Sequence, residues 1–219
     1  MTRSLPILIS GALLGVFGII GAGLVGFSHD ITAERIVQNE RDALLRQLQV
    51  LLPLDAFDND LLGDRIVVSS PELLGSPETH VYRARKGDKP AAVVLNPVIT
   101  QGYSGAIKLI VAIRHDGTLS GVRVLSHKET PGLGDKIEAR RSDWIDGFRD
   151  KSLLNPSGDA WRVKRDGGVF DQFTGATITP RAVVRGVHDS LLYFDANRPS
   201  LFGKRDATPP SDNGETSHE

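Results

Sequence analysis

The longest apolar stretch of the chain runs from Leu5 to Phe27 and contains no charged residue. At about 1.5 Å of rise per residue, a helix of this length would cross the ~30 Å hydrocarbon core of a bilayer. Arg3 precedes the stretch, whereas Asp30 and Glu34 follow it, so the positive-inside rule places the N-terminus in the cytoplasm and the rest of the chain outside. A cleavable signal peptide is the alternative, but its apolar core is usually shorter. We therefore predict a single uncleaved transmembrane anchor.

A second helical pattern follows the anchor, from Ile31 to Leu52. Its apolar residues fall on one face and polar residues cover the others, which is typical of a helix that packs on a folded domain. The apolar face consists of Val37, Leu44, Leu48, Leu51 and Leu52. Pro53 ends the pattern, because proline lacks the N–H group that a helix interior needs. We expect this helix to connect the anchor with the domain.

Alternation of apolar and polar positions predicts a sheet in the middle of the chain. The clearest strand runs from Ile107 to Arg114, where every second side chain would face the core. An Asp-Gly turn at residues 115–117 leads to a returning strand, Leu119 to Leu125. Further strands are predicted at Ile66–Val68, Val81–Lys86 and Ala91–Val98, the last two joined through residues 87–90. Neighbouring strands joined by tight turns indicate an antiparallel sheet.

Two helices and a last hairpin are predicted in the C-terminal half. Ile137 to Phe148 is amphipathic, and Trp161–Lys164 with Val169–Phe170 resembles a hairpin. Thr179-Pro180 is typical of a helix start, with Thr179 as N-cap and Pro180 at the first helical position. Apolar residues at helical spacing follow, namely Val183, Val184, Val187, Leu191 and Leu192. The predicted fold class is α+β, with an N-terminal transmembrane helix followed by a domain in which helices flank an antiparallel sheet.

Composition narrows the chemistry that this domain can perform. The 219 residues carry a net charge of −1, which gives no electrostatic reason to expect nucleic-acid binding. The absence of cysteine excludes disulfides, iron–sulfur ligation and thiol catalysis. His127 lies in a polar loop, but no second histidine stands at ligand spacing, so we expect no metal site. No residues are arranged as a catalytic acid and base.

The segment from Asp171 to Pro180 is rich in small and hydroxyl-bearing residues. Thr174, Thr177 and Thr179 would cluster at the N-terminus of the last helix, where free N–H groups and the helix dipole favour a phosphate. Arg181 and Arg185, one turn apart, could add charge-assisted hydrogen bonds to that phosphate. The plainer interpretation is an ordinary loop before a capped helix.

This segment resembles the Asp-x-x-(Ser/Thr)-Gly-Ala-Thr pattern that a flavin transferase recognises when it esterifies flavin mononucleotide (FMN) to a threonine. All fixed positions match, namely Asp171, Thr174, Gly175, Ala176 and Thr177. The resemblance implies that Thr177, the last residue of the pattern, carries FMN through a phosphoester bond. An unactivated threonine is a poor nucleophile, so an enzyme has to supply the base and the metal for this step.

A second segment, from Glu129 to Gly134, is similar to the Glu-Thr-Pro-Gly-Leu-Gly segment of the same FMN-binding family. In that family the segment lies against the flavin ring, which implies ring contacts for Glu129, Thr130, Gly132, Leu133 and Gly134. Gly132-Leu133-Gly134 also suggests a dinucleotide fingerprint, but Ile137 occupies the place of its third glycine, and we reject that interpretation. Glu129 could bind the flavin or stabilise the loop, and both remain open.

Residues 102–105, Gly-Tyr-Ser-Gly, resemble the family as well. Tyr103 could stack near the flavin, or it could be a half-buried aromatic residue at the start of a strand. Main-chain groups of such glycine-bearing loops can approach a flat ring closely.

Taken together, the anchor and the two motifs resemble the G-subunit family of ion-translocating Rnf electron transport complexes, from Leu5 to about Leu192. The implied function is electron relay through covalent FMN in the bacterial inner membrane, with the domain on the periplasmic side. The implied partners are other membrane subunits, membrane lipid and the flavin transferase. The expected regions are a cytoplasmic N-terminus with the anchor (residues 1–27), a helical connector (28–65), an FMN-binding domain (66–195) and a disordered polar tail (196–219).

Three other functions remain open from the sequence. The family of C subunits of sodium-translocating NADH:quinone reductase shares both flavin motifs, but its members are usually longer. A membrane-anchored binding or sensor domain would carry no flavin. A stand-alone flavin reductase would work without other subunits and would have a substrate pocket beside the ring.

Overall fold

The computed structural model describes residues 11, 13–19, 21–23, 45–46 and 48–203. The described residues between 11 and 23 are helical, but among the described residues we find no helix with the length and apolar character needed to span a membrane. The remaining residues of the predicted anchor Leu5–Phe27 and most of the predicted helix Ile31–Leu52 lie outside the described residues. The chain divides into two compact units, Met1–Gln47 and Leu48–Glu219, and the second contains the features described below.

The second unit is built on a six-stranded sheet. The sheet is antiparallel, as the sequence predicts, but the sequence predicts five strands because it treats Ala91–Val98 as one. Its strands are β1 (Arg65–Ser70), β2 (Ser76–Lys86), β3 (Lys89–Leu95), β4 (Val98–Ile99), β5 (Ile107–Arg114) and β6 (Leu119–Ser126). A short helix, α1 (Pro71–Leu74), joins β1 to β2, and a long helix, α2 (Ile178–Leu201), ends the domain. Helix α2 therefore continues through the first residues that we had assigned to the tail. The remaining tail residues, 204–219, lie outside the described part.

Strands β3 and β4 pair with the same edge of β5 and behave as one interrupted strand. Leu95 lies opposite Val111 and Val98 lies opposite Lys108, so the register is continuous across the gap. Leu109 N–H donates to the Pro97 carbonyl over 3.0 Å within the gap. The strand is interrupted there because Pro97 has no N–H to give to the ladder.

Both faces of the sheet are covered. On one face, the alternate residues of β5 from Ile107 to Ile113 enter a core that includes Val183 and Val187 of α2. On the other face, the helical residues 48–51 pack against β6. A methyl group added at Gly121 would come within 2.8 Å of Leu51 Cδ2, so the two segments are in close contact. Helix α2 therefore packs on the sheet, which fixes the position of its first turn.

The predicted helix from Ile137 to Phe148 is wrong. The segment contains two short 3₁₀ helices, Gly134–Ile137 and Trp144–Phe148, with extended backbone at Glu138 between them. Ser142 explains part of the failure, because its hydroxyl donates to Lys136 O and also accepts from the Trp144 N–H. Such local side-chain bonds compete with helical hydrogen bonding.

The predicted hairpin at Trp161–Lys164 and Val169–Phe170 is also wrong. A 3₁₀ helix, Lys164–Asp166, occupies the turn, and the two flanks meet only in a single bridge between Val163 and Phe170. That bridge is parallel, whereas the two arms of a hairpin are antiparallel. A methyl group added at Gly168 would lie 2.0 Å from Arg162 O, so the loop folds back closely on itself.

Candidate functional site

The Asp171–Thr177 segment forms a tight turn that leads into α2. Ala176 N–H donates to Phe173 O over 3.1 Å, which closes a turn with Thr174 and Gly175 at its exposed tip. Gly175 has φ of 81°, a conformation that glycine adopts without steric cost. The turn therefore presents its small residues to solvent.

Helix α2 begins two residues earlier than predicted. Its N-cap is Thr177, and Thr179 and Pro180 lie inside the first turn. Pro180 is tolerated there because first-turn N–H groups have no acceptor within the helix. Thr179 is buried and bonds elsewhere, so it is not the cap. Thr177 is half-buried at the helix N-terminus, and its hydroxyl makes no capping hydrogen bond.

Glu129 is buried beneath this helix start and connects three segments of the chain. Its Oε1 accepts a hydrogen bond of 3.0 Å from Ser104 N–H in the β4–β5 loop. Its Oε2 accepts from the Thr179 hydroxyl in the first turn of α2. Of the two roles left open by the sequence, loop stabilisation is therefore visible directly in the structure.

Gly134 and Gly102 allow their segments of the chain to pack closely against Glu129. A methyl group at Gly134 would lie 2.9 Å from both Glu129 Cβ and Thr179 Oγ1. At Gly102 a methyl group would lie 2.2 Å from Gly105 O and 2.9 Å from Glu129 Oε1. These glycines of the two family-like loops are thus required by packing around one carboxylate.

Three exposed apolar side chains stand on the segments that meet at Glu129. Tyr103 is 68% exposed, Leu133 is 42% exposed and Ile178 is 45% exposed. Each of them precedes a residue that contacts Glu129, namely Ser104, Gly134 and Thr179. We call Tyr103, Leu133 and Ile178 the apolar platform. Leu133 Cδ2 lies 3.5 Å from the position of a methyl group built on Gly175, so the platform also contacts the Asp171–Thr177 turn.

The opposite side of the turn is held by charged residues of the 3₁₀ helix Lys164–Asp166. Lys164 Nζ lies 2.6 Å from Asp171 Oδ1, and Asp166 binds the Arg181 guanidinium through bonds of 2.6 and 2.9 Å. The Arg181 guanidinium lowers the pKa of Asp166 below its usual value. Arg181 is therefore fixed one helical turn after Thr177. Arg185, which we had grouped with Arg181, instead binds Gln101 Oε1 over 3.1 Å.

Trp144 contacts the Asp171–Thr177 turn, an interaction that the sequence analysis did not predict. Its indole N–H donates to Asp171 O over 2.8 Å, and its ring packs edge-on against Phe173 at 5.1 Å. The same ring meets Phe148 at 5.3 Å. An aromatic residue within the predicted amphipathic segment was the only sequence signal, and it indicated packing alone.

His127 fixes the start of the loop that carries Glu129. Its Nδ1 accepts from Glu129 N–H over 3.0 Å, so Nε2 carries the ring proton and donates to Glu138 Oε1 over 2.6 Å. Arg140 and then His127 lower the pKa of Glu138 to about 2. The loop closes with Leu133 and Gly134 N–H groups both donating to Thr130 O over 3.1 Å. His127 is thus a structural residue here.

Comparison with known proteins identifies the family. Residues 102–192 match the FMN-binding domain model, and residues 1–51 match the RnfG N-terminal region. The G subunit of the ion-translocating oxidoreductase complex of Pseudomonas aeruginosa is 48% identical over 196 residues, which cover 89% of this chain and 92% of the relative. The G subunits of the same complex in Pseudoalteromonas atlantica and Vibrio cholerae are 46% and 43% identical, over 88% and 89% of this chain and 90% and 93% of the relatives.

The chain belongs to the G-subunit family of ion-translocating oxidoreductase complexes. This confirms the resemblance to the Rnf family and the expectation of an FMN flavoprotein subunit in such a complex. All three relatives are G subunits, which is the first of the two family assignments that the sequence suggested. Each of these relatives is named as one subunit of an ion-translocating oxidoreductase complex.

The site of this family member fits FMN in two respects. The Thr177 hydroxyl stands at a helix N-terminus without a capping partner, where a phosphate is favoured. Ile178 follows Thr177 and Leu133 lies against Gly175, so two exposed apolar side chains of the platform are available to a flat ring near this hydroxyl. Of the residues that the sequence assigned to flavin, Glu129 packs against Gly134 and binds Ser104, which follows Tyr103. Leu133 lies against Gly175. Asp171 and Arg181 lie on the charged side of the turn, and Thr130 closes its loop through its carbonyl.

Proposed function

We propose that Thr177 carries FMN through a phosphoester bond and that the chain relays electrons through this flavin within its complex. The observation that carries the proposal is the free capping position of Thr177, at the end of a complete Asp171–Thr177 pattern and beside the apolar platform. A threonine at an N-cap normally bonds a first-turn N–H group. Here that hydroxyl is left available for modification.

The attachment reaction needs an activated flavin nucleotide and a transferase. A bond forms between Thr177 Oγ1 and the flavin-side phosphorus, while the pyrophosphate bond of the donor breaks and a nucleoside monophosphate leaves. The hydroxyl proton passes to a base of the transferase. The exposed turn at Thr174 and Gly175 gives such an enzyme access to Thr177.

Once attached, the phosphate would lie where the chain offers positive potential. The N–H groups of Ile178 and Thr179 lie at this end of α2, where Pro180 has none, and the helix dipole has its positive end there. Arg181 is held nearby. Its guanidinium donates to Asp166, and its backbone N–H donates to Thr177 O over 3.2 Å. These groups would orient the phosphate, and the apolar platform would receive the ring and exclude water from one of its faces.

Bound FMN supplies one- and two-electron redox chemistry, so it can connect carriers of either kind. The protein's part is to hold the ring at a fixed position. We further propose that the N-terminal anchor keeps the domain at the periplasmic face of the inner membrane, among lipid and the other membrane subunits. The covalent bond would keep the flavin in a compartment where free FMN is dilute.

The attachment site can be tested by expressing the full chain with a flavin transferase and digesting it for mass spectrometry. We expect the mass of one FMN, less one water, on the peptide that contains Thr177, with fragmentation assigning it to that residue. A modification assigned to Thr174, or an unmodified peptide from transferase-treated protein, would contradict the proposal.

A further inference from the structure

The three side chains of the apolar platform come from distant parts of the chain. Tyr103 is in the β4–β5 loop, Leu133 follows β6, and Ile178 is in the first turn of α2. Glu129 contacts the residue that follows each of them in the chain. It is hydrogen-bonded to Ser104 and Thr179 and packs closely against Gly134. Exposed loops without such hydrogen bonds and packing contacts sample many conformations, so the three side chains would not keep fixed relative positions.

We propose that Glu129 is the positioning residue that keeps Tyr103, Leu133 and Ile178 together as the seat of the isoalloxazine ring. This inference rests on the proposed function, since it assumes that the ring is tethered at Thr177. Glu129 itself contacts no reacting atom in this scheme. It acts through Ser104 and Thr179, which carry the platform segments.

The chemistry of a buried carboxylate makes Glu129 suitable for this role. Glu129 is only 4% exposed, and each of its oxygens accepts a hydrogen bond from a different segment. Hydrogen bonds to a charged acceptor are stronger than neutral ones, and breaking one leaves a charge without its partner in a buried place. The carboxylate therefore resists separation of the β4–β5 loop from the helix start.

Variants at Thr179 can remove one of the two bonds without touching the attachment residue. Thr179→Val keeps the shape of the side chain but cannot donate to Glu129, whereas Thr179→Ser keeps the hydroxyl. Glu129→Gln has an oxygen for Ser104 N–H and an NH₂ group that can donate to the Thr179 oxygen, so we expect it to keep both contacts as weaker, neutral hydrogen bonds. Ser120→Ala is the matched control, because it removes another buried side-chain bond, from Ser120 to Leu51 O, away from the site.

The measurement is iodide quenching of flavin fluorescence in folded, transferase-treated full-length protein. A lost hydrogen bond to a charged acceptor should change the ratio of seated to unseated ring by roughly tenfold. We expect strong shielding of the flavin in wild type, Thr179→Ser and Ser120→Ala, intermediate shielding in Glu129→Gln, and marked loss of shielding in Thr179→Val. Circular dichroism would verify that each variant is folded.

Two results would overturn the inference, and they are distinguishable. If wild type carries no flavin after denaturation, the proposed function fails and the positioning role falls with it. If wild type carries flavin but Thr179→Val shields it as well as Thr179→Ser does, Glu129 does not position the ring. Loss of shielding in Ser120→Ala to the same extent would also contradict it, because the effect would then be one of general stability.

Discussion

The hydroxyl of Thr179 donates a hydrogen bond to the buried carboxylate of Glu129, across a sequence separation of 50 residues. This contact joins the loop of the Glu-Thr-Pro-Gly-Leu-Gly segment to the helix that follows the Asp171–Thr177 pattern. The segments that carry the two motifs therefore meet in the fold. A change on either side of the contact should affect both.

Gly134→Ala should destabilise the domain, because the added methyl group would meet Glu129 Cβ and Thr179 Oγ1 at 2.9 Å. Overpacking of this kind costs about 1–3 kcal/mol of unfolding free energy. Urea unfolding would measure it, and Gly147→Ala is the control because a methyl group there has no neighbour within 4 Å. Equal stability of the two variants would argue against close packing around Glu129.

Asp64→Asn should be much more destabilising than a change at an exposed ion pair. Asp64 is buried and binds both Arg83 and Arg85, whose guanidinium groups also donate to Gly203 O just after α2. Removing one partner of a buried pair typically costs about 3–5 kcal/mol, because a charge is left uncompensated. Asp159→Asn breaks only an exposed pair with Arg162 and should leave the unfolding midpoint almost unchanged. A small effect of Asp64→Asn in urea unfolding would contradict this role.

Stability should fall on mild acidification, partly through His188. Burial lowers the pKa of His188, whose ring stacks on Trp161 at 5.4 Å. The unfolded chain then binds a proton at higher pH than the folded chain does, so stability is lost as pH falls from the ordinary value of 6.5 toward the lower folded pKa.

His188→Phe keeps an aromatic ring against Trp161 but cannot take up a proton. Thermal unfolding between about pH 7.5 and pH 5.5 should show a smaller loss of stability in this variant than in wild type. Burial raises the pKa of the neighbouring Asp189 above its ordinary value of 3.8, so protonation of Asp189 stabilises the folded state as pH falls. This effect has the opposite sign to that of His188, and the pH range of the measurement is therefore kept well above 3.8. Identical pH profiles of the two proteins would show that His188 is equally free to ionise in both states.

The central sheet could be predicted from the sequence because its signals are local. Strand β5 has the predicted bounds, since its alternation and the following Asp-Gly turn lie within a few residues of each other. Glu129 shows the limit of such reasoning. Its partners Ser104 and Thr179 are 25 and 50 residues away, and no local pattern indicates which loops will meet.

Two errors in the sequence predictions are explained by side-chain hydrogen bonds that a local helical pattern does not indicate. Thr179-Pro180 is a good local start for a helix, but the tertiary bond from Thr179 to Glu129 removes the hydroxyl from capping, and the helix begins at Ile178. Ile137–Phe148 has an amphipathic pattern, but His127 and Arg140 draw Glu138 into contacts outside a helix. At Thr179 a contact with another segment overrides the local preference, whereas in Ile137–Phe148 the local hydrogen bonds of Ser142 and Arg140 contribute as well.

The most direct test of covalent attachment at Thr177 is flavin fluorescence in the denatured protein band on a gel. Full-length wild type, Thr177→Val and Thr174→Ser would each be expressed with the transferase. Valine has nearly the shape of threonine but lacks the hydroxyl, so we expect Thr177→Val to be folded and colourless, whereas wild type and Thr174→Ser, which keeps the recognition pattern, fluoresce. A fluorescent Thr177→Val band, or a dark wild-type band, would contradict the account.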